Sequence, residues 1–189
     1  MSSNLSAAEW EAMYAPYDQS TYQAVLDLLM RDDVVLDIGA GDLRLSRQMA
    51  LITGRVYAVE INASVLDQAS ASCDPLSGNL TPICADARTF GFPSDTTVGV
   101  LMMRHCTHFR LYFEKLREVG ARRLITNARW RMGIEEIDLW TDRSFFKDTD
   151  MGWFACLCGA TGFKAGPAES WSMEMDGIIH EVADCPHCK

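Results

Sequence analysis

A glycine-containing turn after the first apolar run constrains the fold of this chain more than any other feature. The run ends in Asp37, and Gly39 and Gly41 follow with one residue between them. Glycine has no Cβ and tolerates positive φ, so the spacing predicts a buried parallel strand that turns sharply into a helix, with backbone close to a ligand. A second strand over 55–60 ends in Glu60, 19 residues beyond Gly41. An acid there can accept hydrogen bonds from both ribose hydroxyls, so the two signals predict a nucleoside-containing cofactor at the carboxyl edge of a parallel sheet.

The residues around the turn narrow the choice of cofactor. The dinucleotide fingerprint has a third glycine three residues after the second, but Asp42, Leu43 and Arg44 follow the second glycine here. An acid at Asp42 fits a pyrophosphate poorly, whereas the acid at Asp37 suits a ligand that carries an ammonium group. Both observations favour S-adenosylmethionine, which joins adenosine to an amino acid through a sulfonium. Another Rossmann-like nucleotide ligand remains the alternative.

On these residues the chain resembles the class I S-adenosylmethionine-dependent methyltransferases. Their first motif, D-x-G-x-G-x, begins here at Asp37, and Leu43 stands where the family often has a third glycine. Their ribose acid matches Glu60, and their acid followed by a small residue after strand three matches Asp86 and Ala87. The resemblance extends over residues 10–183, and it implies the fold, the cofactor and methyl transfer.

The resemblance also implies which residues contact the cofactor. The implied cofactor site comprises Asp37, Gly39, Gly41, Glu60, Ile61, Asp86, Ala87, Arg104, Tyr14 and Tyr17. The two tyrosines precede the first predicted helix, where aromatic residues often cover the methionine end of the cofactor in similar proteins. The alternative for them is an N-terminal arm packed on the surface.

Strand and helix signals alternate along the chain and predict an α/β fold. We expect strands at 33–38, 55–60, 81–84, 97–103 and 123–127, and helices at 20–30, 43–52, 63–72 and 108–119. This order implies a doubly wound, mostly parallel sheet with helices on both faces, in three α/β/α layers. Residues 134–150 are polar and acidic and are expected to form an excursion over the active-site edge, and 152–160 to form a last helix. Strands near 162–167 and 178–182 then predict a C-terminal antiparallel hairpin and a seven-stranded sheet, as in the fold of the family.

Composition bounds the size class and the partners of the chain. Its 189 residues, 48% of them apolar, suffice for one domain over 1–189 with a sizeable core. No apolar run approaches the ~18 residues that span a membrane, and the first residues lack the regions of a signal peptide. Seven cysteines fit a reducing compartment, so we expect a cytoplasmic protein. We interpret four arginines near strand five as solvated residues that flank it: Arg122, Arg123, Arg129 and Arg131.

Four C-terminal cysteines form two close pairs with the spacing of metal ligands. Cys156 and Cys158 belong to C-x-C-G, Cys185 and Cys188 to C-P-H-C, and 26 residues separate the pairs. Four thiolates around one ion form a structural zinc site, with no open position for catalysis. We therefore expect a zinc knuckle over 156–188 that holds the hairpin together, at the edge opposite the cofactor. Unrelated cysteines, a redox pair or a ligand role for His187 are the alternatives.

Candidates for the chemistry follow strands four and five. Methyl transfer needs in-line positioning and, for some acceptors, a base. His105 is the first candidate base and His108 the second, because an unperturbed histidine has a pKa near neutrality, although a packed histidine at a strand end is equally compatible. Asn127, Arg129 and Trp130 offer an amide, a cation and a ring to an acceptor.

The sequence therefore predicts methyl transfer from S-adenosylmethionine to a small molecule or a protein side chain. Strand four is not followed by the Asp/Asn-Pro-Pro-aromatic motif of DNA and RNA amino-methyltransferases. The net charge of −9 also repels polyanions, which argues against a nucleic-acid substrate. Two alternatives stay open: a cofactor-binding or interaction module without activity, and an RNA methyltransferase whose zinc knuckle grips its substrate.

Overall fold

The fold is known from a computed structural model that describes residues 17–71, 76–104, 106–129, 133–173 and 177–188. The predictions made for Tyr14, His105, Trp130 and Arg131 fall outside these residues. None of the described helices reaches the length and hydrophobicity that spanning a bilayer requires.

The regular elements follow one another in an α/β order. In chain order they are α1 (Gln19–Leu26), β1 (Val34–Ile38), α2 (Arg44–Ile52), β2 (Arg55–Glu60), α3 (Ala63–Ser70), β3 (Leu80–Cys84), β4 (Val98–Leu101), α4 (Phe109–Glu118), β5 (Arg123–Thr126), β6 (Glu135–Asp138), β7 (Gly152–Cys156), β8 (Thr161–Lys164) and β9 (Ile179–Val182). Side chains cap two of the helices at their first turn. Asp18 accepts a hydrogen bond from the N–H of Thr21, and Asn62 accepts one from the N–H of Ser64.

The larger sheet has six strands in the order β3-β2-β1-β4-β5-β6. Strands β1 to β5 are parallel, and β6 runs antiparallel to β5. The core lies on both faces: Val35 packs with α1 and α2 on one face, and Leu36 packs with α4 on the other. This confirms the α/β architecture with a mostly parallel sheet. It also brings the ends of β1, β2, β4 and β5 to one carboxyl edge, where ligands bind in such sheets.

The C-terminal part differs from the expected hairpin. Residues 152–160 form β7 and a turn instead of a helix, and β8 and β9 both pair with β7 rather than with each other. The result is a separate three-stranded sheet beside a six-stranded one, not one sheet of seven strands. The turn explains the error, since the N–H of Cys156 donates to the carbonyl of Ala160 at 2.8 Å and closes a tight connection. A helix would have turned Cys156 and Cys158 to different sides.

The segment after β5 contains a strand that the sequence did not predict. Glu135–Asp138 is not loop but strand β6, and it pairs with β5 so that Ile137 lies opposite Leu124. Ile137 and Leu139 alternate with exposed residues and are buried against the α4 face of the sheet. A two-residue repeat of this length is too short to stand out from an acidic context.

Candidate active site

The turn between β1 and α2 has the backbone conformation that its glycines predict. Gly39, Gly41 and Leu43 all have positive φ, at 78°, 57° and 65°. Leu43 thus takes up the left-handed conformation at the position where the related family often has glycine, and its side chain is fully buried. The N–H groups of Gly39 and Ala40 donate to the carbonyl of Val59 at 2.9 and 3.0 Å. These bonds fix the turn to the end of β2.

Glu60 lies at the end of β2 and is buried, with 7% of its surface exposed. Its carboxylate accepts the N–H of Gly41 at 2.9 Å and the N–H of Asn62 at 2.8 Å. A carboxylate has about four acceptor positions, so two are left for further donors. The next residue, Ile61, is half exposed and presents an apolar side chain at the same edge. This is an arrangement that can hold a ribose and cover one face of a base.

Asp37 lies within β1, directly before the glycine turn, and only 3% of its surface is exposed. It accepts a hydrogen bond from the Ser46 hydroxyl at 2.5 Å. Burial raises the pKa of Asp37 to about 7, the hydrogen bond from Ser46 opposes this rise, and the charge of Glu60 adds to it. Near neutral pH the carboxyl is therefore divided between its protonated and ionised forms.

Asp86 follows β3 and is held by its neighbour Arg88. The guanidinium donates to both carboxylate oxygens, with Nε 2.9 Å from Oδ1 and Nη2 2.6 Å from Oδ2. Hydrogen bonds from Arg88 lower the pKa of Asp86 to about 2. The loop is also fastened to α4, because Lys115 donates to the carbonyls of Ala87 and Phe90 at 2.6 Å. An ionised acid is thus held in place beyond the end of β3.

Residues after β4 meet the start of the described chain. The Tyr17 hydroxyl donates to the carbonyl of Met102 at 3.3 Å, and the Arg104 guanidinium lies over the Tyr17 ring, 4.4 Å from its centre. Met103 packs so closely on Gly39 that a Cβ there would lie 2.9 Å from the methionine Cε. The structure thus brings Tyr17, Arg104 and the glycine turn to one edge of the sheet.

His108, the second candidate base, is exposed and directly precedes α4. Its ring meets the Tyr112 ring edge-on, with 6.4 Å between the centres. Its charge also contributes to lowering the pKa of Asp86. His108 therefore lies near the acid beyond β3.

Of the four arginines near β5, Arg122 is exposed as expected, but Arg123 and Arg129 are not simply solvated. Arg123 donates to Asp33 at 2.6 Å, and its side chain is only 13% exposed. The Arg129 side chain is 2% exposed and is bound by Glu135 and Glu181, each at 2.7 Å. These acids hold the guanidinium as a tie between β6 and β9, so Arg129 is already engaged and is not presented to an acceptor as a free cation. Its neighbour Asn127 has a buried amide.

The four C-terminal cysteines converge as the spacing predicts. Their sulfurs all lie within 4.8 Å of one another. Three of the separations are 3.5 Å (Cys156 to Cys188), 3.6 Å (Cys158 to Cys185) and 3.9 Å (Cys185 to Cys188). A tetrahedral zinc with bonds of about 2.3 Å places its sulfurs about 3.8 Å apart. The cluster therefore has the dimensions of a tetrahedral thiolate site.

The position of the cluster differs from the prediction. The cysteines were expected opposite the cofactor edge, but the turn at Gly159 packs against Phe109, the first residue of α4. Since α4 follows β4, its start lies at the carboxyl edge of the sheet. Glu181 of β9 reaches Arg129 at the same edge. The error came from assuming a hairpin within the main sheet, whereas a separate sheet packs against α4.

Comparisons with known proteins agree with this geometry. Residues 35–122 match the family model described as a methyltransferase domain. No curated protein matches the chain significantly. Together with the sheet order and the glycine turn, the match shows that this part of the chain is similar to methyltransferase domains.

Solved structures share the fold at low sequence identity. A precorrin 8W decarboxylase from Methanobacterium thermoautotrophicum is 20% identical with a TM-score of 0.51, and the match covers 59% of this chain and 63% of that one. The DhpI–SAH complex is 19% identical with a TM-score of 0.51, covering 64% and 63%. A dimethyladenosine transferase from Plasmodium falciparum is 17% identical with a TM-score of 0.51, covering 58% and 41%. Each match spans less than two thirds of the solved chain, and at identities of 17–20% the likeness shows the fold alone.

Proposed function

We propose that this protein transfers a methyl group from S-adenosylmethionine to a small molecule or a protein side chain. The observation that carries the proposal is the buried Glu60, whose carboxylate is held between the N–H groups of Gly41 and Asn62. It leaves acceptor positions at the carboxyl edge, where a nucleoside's ribose hydroxyls would donate. The proposal extends the similarity to a methyltransferase domain, which concerns residues 35–122, to an activity of the chain.

The remaining cofactor contacts follow from position. Ile61 would pack on the adenine, and Asp86, with Ala87 beside it, would accept its amine. Gly39 and Gly41 would let the methionine part approach the backbone, and Asp37 would face its ammonium group. Tyr17 and Arg104 would cover that end, together with Tyr14. When bound, the cofactor supplies a methyl group on a positively charged sulfonium.

The acceptor would approach along the ends of β4 and β5. The chain must hold the nucleophilic atom in line with the methyl group and, where the acceptor carries a proton, remove it. His105 remains the predicted base from its position after β4, and His108 is the second choice. The net charge of −9 disfavours an RNA substrate, which stays the weaker alternative.

We further propose that Cys156, Cys158, Cys185 and Cys188 hold a structural zinc. The tetrahedral spacing of their sulfurs supports this assignment, and no disulfide joins the cysteines described in the structure. Zinc would fasten the turn after β7 to the end of the chain, as part of the methyltransferase domain. Reduced thiols of this kind fit a cytoplasmic protein.

Consumption of the cofactor tests the activity directly. The purified protein is incubated with S-adenosylmethionine labelled in the methyl group and with three fractions of a cell extract: small molecules, proteins and RNA. We expect label in the small-molecule or protein fraction, and none with Glu60→Ala. Label in RNA alone would favour the RNA alternative. No transfer to any fraction, with the cofactor bound, would favour a module without activity.

A further inference from the structure

Asn127, directly after β5, has a side-chain amide without a partner. The residue is 1% exposed, and within the described structure neither Oδ1 nor Nδ2 makes a hydrogen bond. Buried amides are almost always hydrogen-bonded, and an exception calls for an explanation such as a role in the chemistry of the site. We propose that Asn127 binds the methyl acceptor, through a neutral carboxamide or lactam group of a small molecule. This inference rests on the methyltransferase function proposed above.

The location of Asn127 suits an acceptor rather than the cofactor. Thr126 lies opposite Leu101 in the register of β5 and β4, so Asn127 and Met102 are the next residues of the two strands. The carbonyl of Met102 binds the Tyr17 hydroxyl, which places Tyr17 beside the same position. Neighbouring strands lie about 4.8 Å apart, so β5 is about 10 Å from β1 and its glycine turn. At this separation from the glycine turn, Asn127 can contact an acceptor that lies next to the cofactor.

The turn after β5 closes without the amide. The Thr126 hydroxyl donates to the carbonyl of Leu101 at 2.7 Å and accepts the N–H of Ala128 at 3.0 Å. Arg129, the nearest cation in sequence, is bound by Glu135 and Glu181. The polar groups that flank Asn127 in the chain are therefore satisfied by other residues. Among the described contacts, the amide makes no hydrogen bond that stabilises the fold.

The chemistry of the amide selects the class of ligand. A primary amide presents a donor and an acceptor side by side in one plane. Its complement is a group with an acceptor beside a donor, as in a carboxamide or a lactam. A carboxylate or phosphate offers acceptors only and would leave Oδ1 unpaired. The engagement of Arg129 and the net charge of −9 also disfavour an anion.

An NMR titration with small probes tests the inference. Protein saturated with S-adenosylhomocysteine is titrated with 2-pyridone, benzamide and, as the anionic counterpart of benzamide, benzoate. The side-chain amide signals are followed, and that of Asn127 is assigned from its loss in Asn127→Leu. We expect 2-pyridone and benzamide, but not benzoate, to shift this signal saturably. Asn127→Leu should weaken their binding at least tenfold.

Thermal unfolding without ligand separates a binding role from a structural one. Asn127→Leu should leave Tm unchanged or raise it, because it removes buried groups that lack partners. The matched control is Asn79→Leu, since the Asn79 amide donates to the carbonyls of Ala50 and Thr53 and its loss should lower Tm. Asn127→Ala serves as a second variant if the leucine does not fold.

The outcomes distinguish this inference from the proposed function. Failure of S-adenosylhomocysteine to bind would defeat the proposed function itself. Binding of S-adenosylhomocysteine without any shift of the Asn127 signal would defeat the assignment of Asn127 alone. So would equal probe affinity in Asn127→Leu, or a drop in Tm as large as that of Asn79→Leu.

Discussion

At the scale of single residues, Glu60 joins the two loops that form the cofactor edge. One carboxylate oxygen binds the N–H of Gly41 in the turn after β1, and the other binds the N–H of Asn62 before α3. The acid thus orders the edge before any ligand arrives. A ligand that hydrogen-bonds to it meets a group that is already oriented.

Replacing Glu60 should therefore weaken cofactor binding more than it lowers the stability of the fold. Glu60→Gln keeps the shape but loses charge-assisted hydrogen bonds to the ribose, and S-adenosylhomocysteine should bind about 1–3 kcal/mol more weakly. Calorimetric titration measures the change, with the exposed Glu118→Gln as the control. Unchanged affinity in Glu60→Gln would remove Glu60 from the ribose site.

Asp37 makes stability depend on pH. Its pKa rises from 3.8 to about 7 on folding, so the folded state holds the proton more tightly than the unfolded chain. The stability that this proton contributes is present below about pH 4 and is lost as the pH rises towards 7, by up to about 1.4 kcal/mol per unit. Denaturant unfolding of the wild type against Asp37→Asn should show this slope. Ser46→Ala removes a hydrogen bond that lowers this pKa, so the loss should extend to higher pH. A difference between wild type and Asp37→Asn that stays constant from pH 4 to 7 would show that Asp37 does not bind the proton more tightly in the folded state.

Some of these residues could be predicted from the sequence and others could not. The glycine turn and Glu60 are predictable because the backbone conformation and the end of a strand demand particular residue types. The interaction of Ser46 with Asp37 depends on how α2 is turned towards β1, which a sequence pattern does not specify. The ion pair between Arg88 and Asp86 could have been predicted from their two-residue spacing. In the sequence, however, Arg88 looks like any other exposed cation.

At the scale of elements, Arg129 ties the two sheets together. It follows β5, binds Glu135 at the start of β6 and binds Glu181 in β9, while its guanidinium lies 5.6 Å from the centre of the Phe109 ring at the start of α4. Four elements thus meet at one buried cation. The sequence predicted the strand before it but not the tie, because both glutamates lie in strands whose pairing was not foreseen.

Removing this cation should destabilise the protein. Arg129→Met leaves Glu135 and Glu181 without their shared partner. Because the two acids are partly exposed, the free energy of unfolding should fall by only about 2–4 kcal/mol. Urea unfolding measures the change, and Arg122→Met, at an exposed arginine directly before β5, should change stability by less than about 0.5 kcal/mol. Equal effects of the two substitutions would show that the ion pairs of Arg129 add nothing to stability.

At the scale of the whole molecule, the cysteine cluster and the cofactor edge are neighbours. The turn that carries Cys156 and Cys158 packs on the start of α4, and α4 also holds the loop after Asp86 through Lys115. The convergence of the cysteines was predictable from their spacing. Their location was not, since it depends on the packing of a separate sheet whose short strands have weak sequence signals.

Loss of one cysteine should lower the stability of the protein more than its affinity for the cofactor. Cys185→Ser should reduce bound zinc, measured by metal analysis, and lower Tm, because three thiolates hold the ion less well than four. Affinity for S-adenosylhomocysteine should stay within about threefold, since the glycine turn and Glu60 are held by their own hydrogen bonds. Loss of affinity at unchanged Tm would show instead that the metal takes part at the cofactor site.

The proposed function depends on a site for S-adenosylmethionine formed by the glycine turn and Glu60. Calorimetric titration of the purified protein with S-adenosylhomocysteine, with NAD as the control ligand, tests it most directly. We expect micromolar binding of S-adenosylhomocysteine at one site per chain and no heat from NAD. Binding of NAD, or of neither ligand, would contradict this expectation.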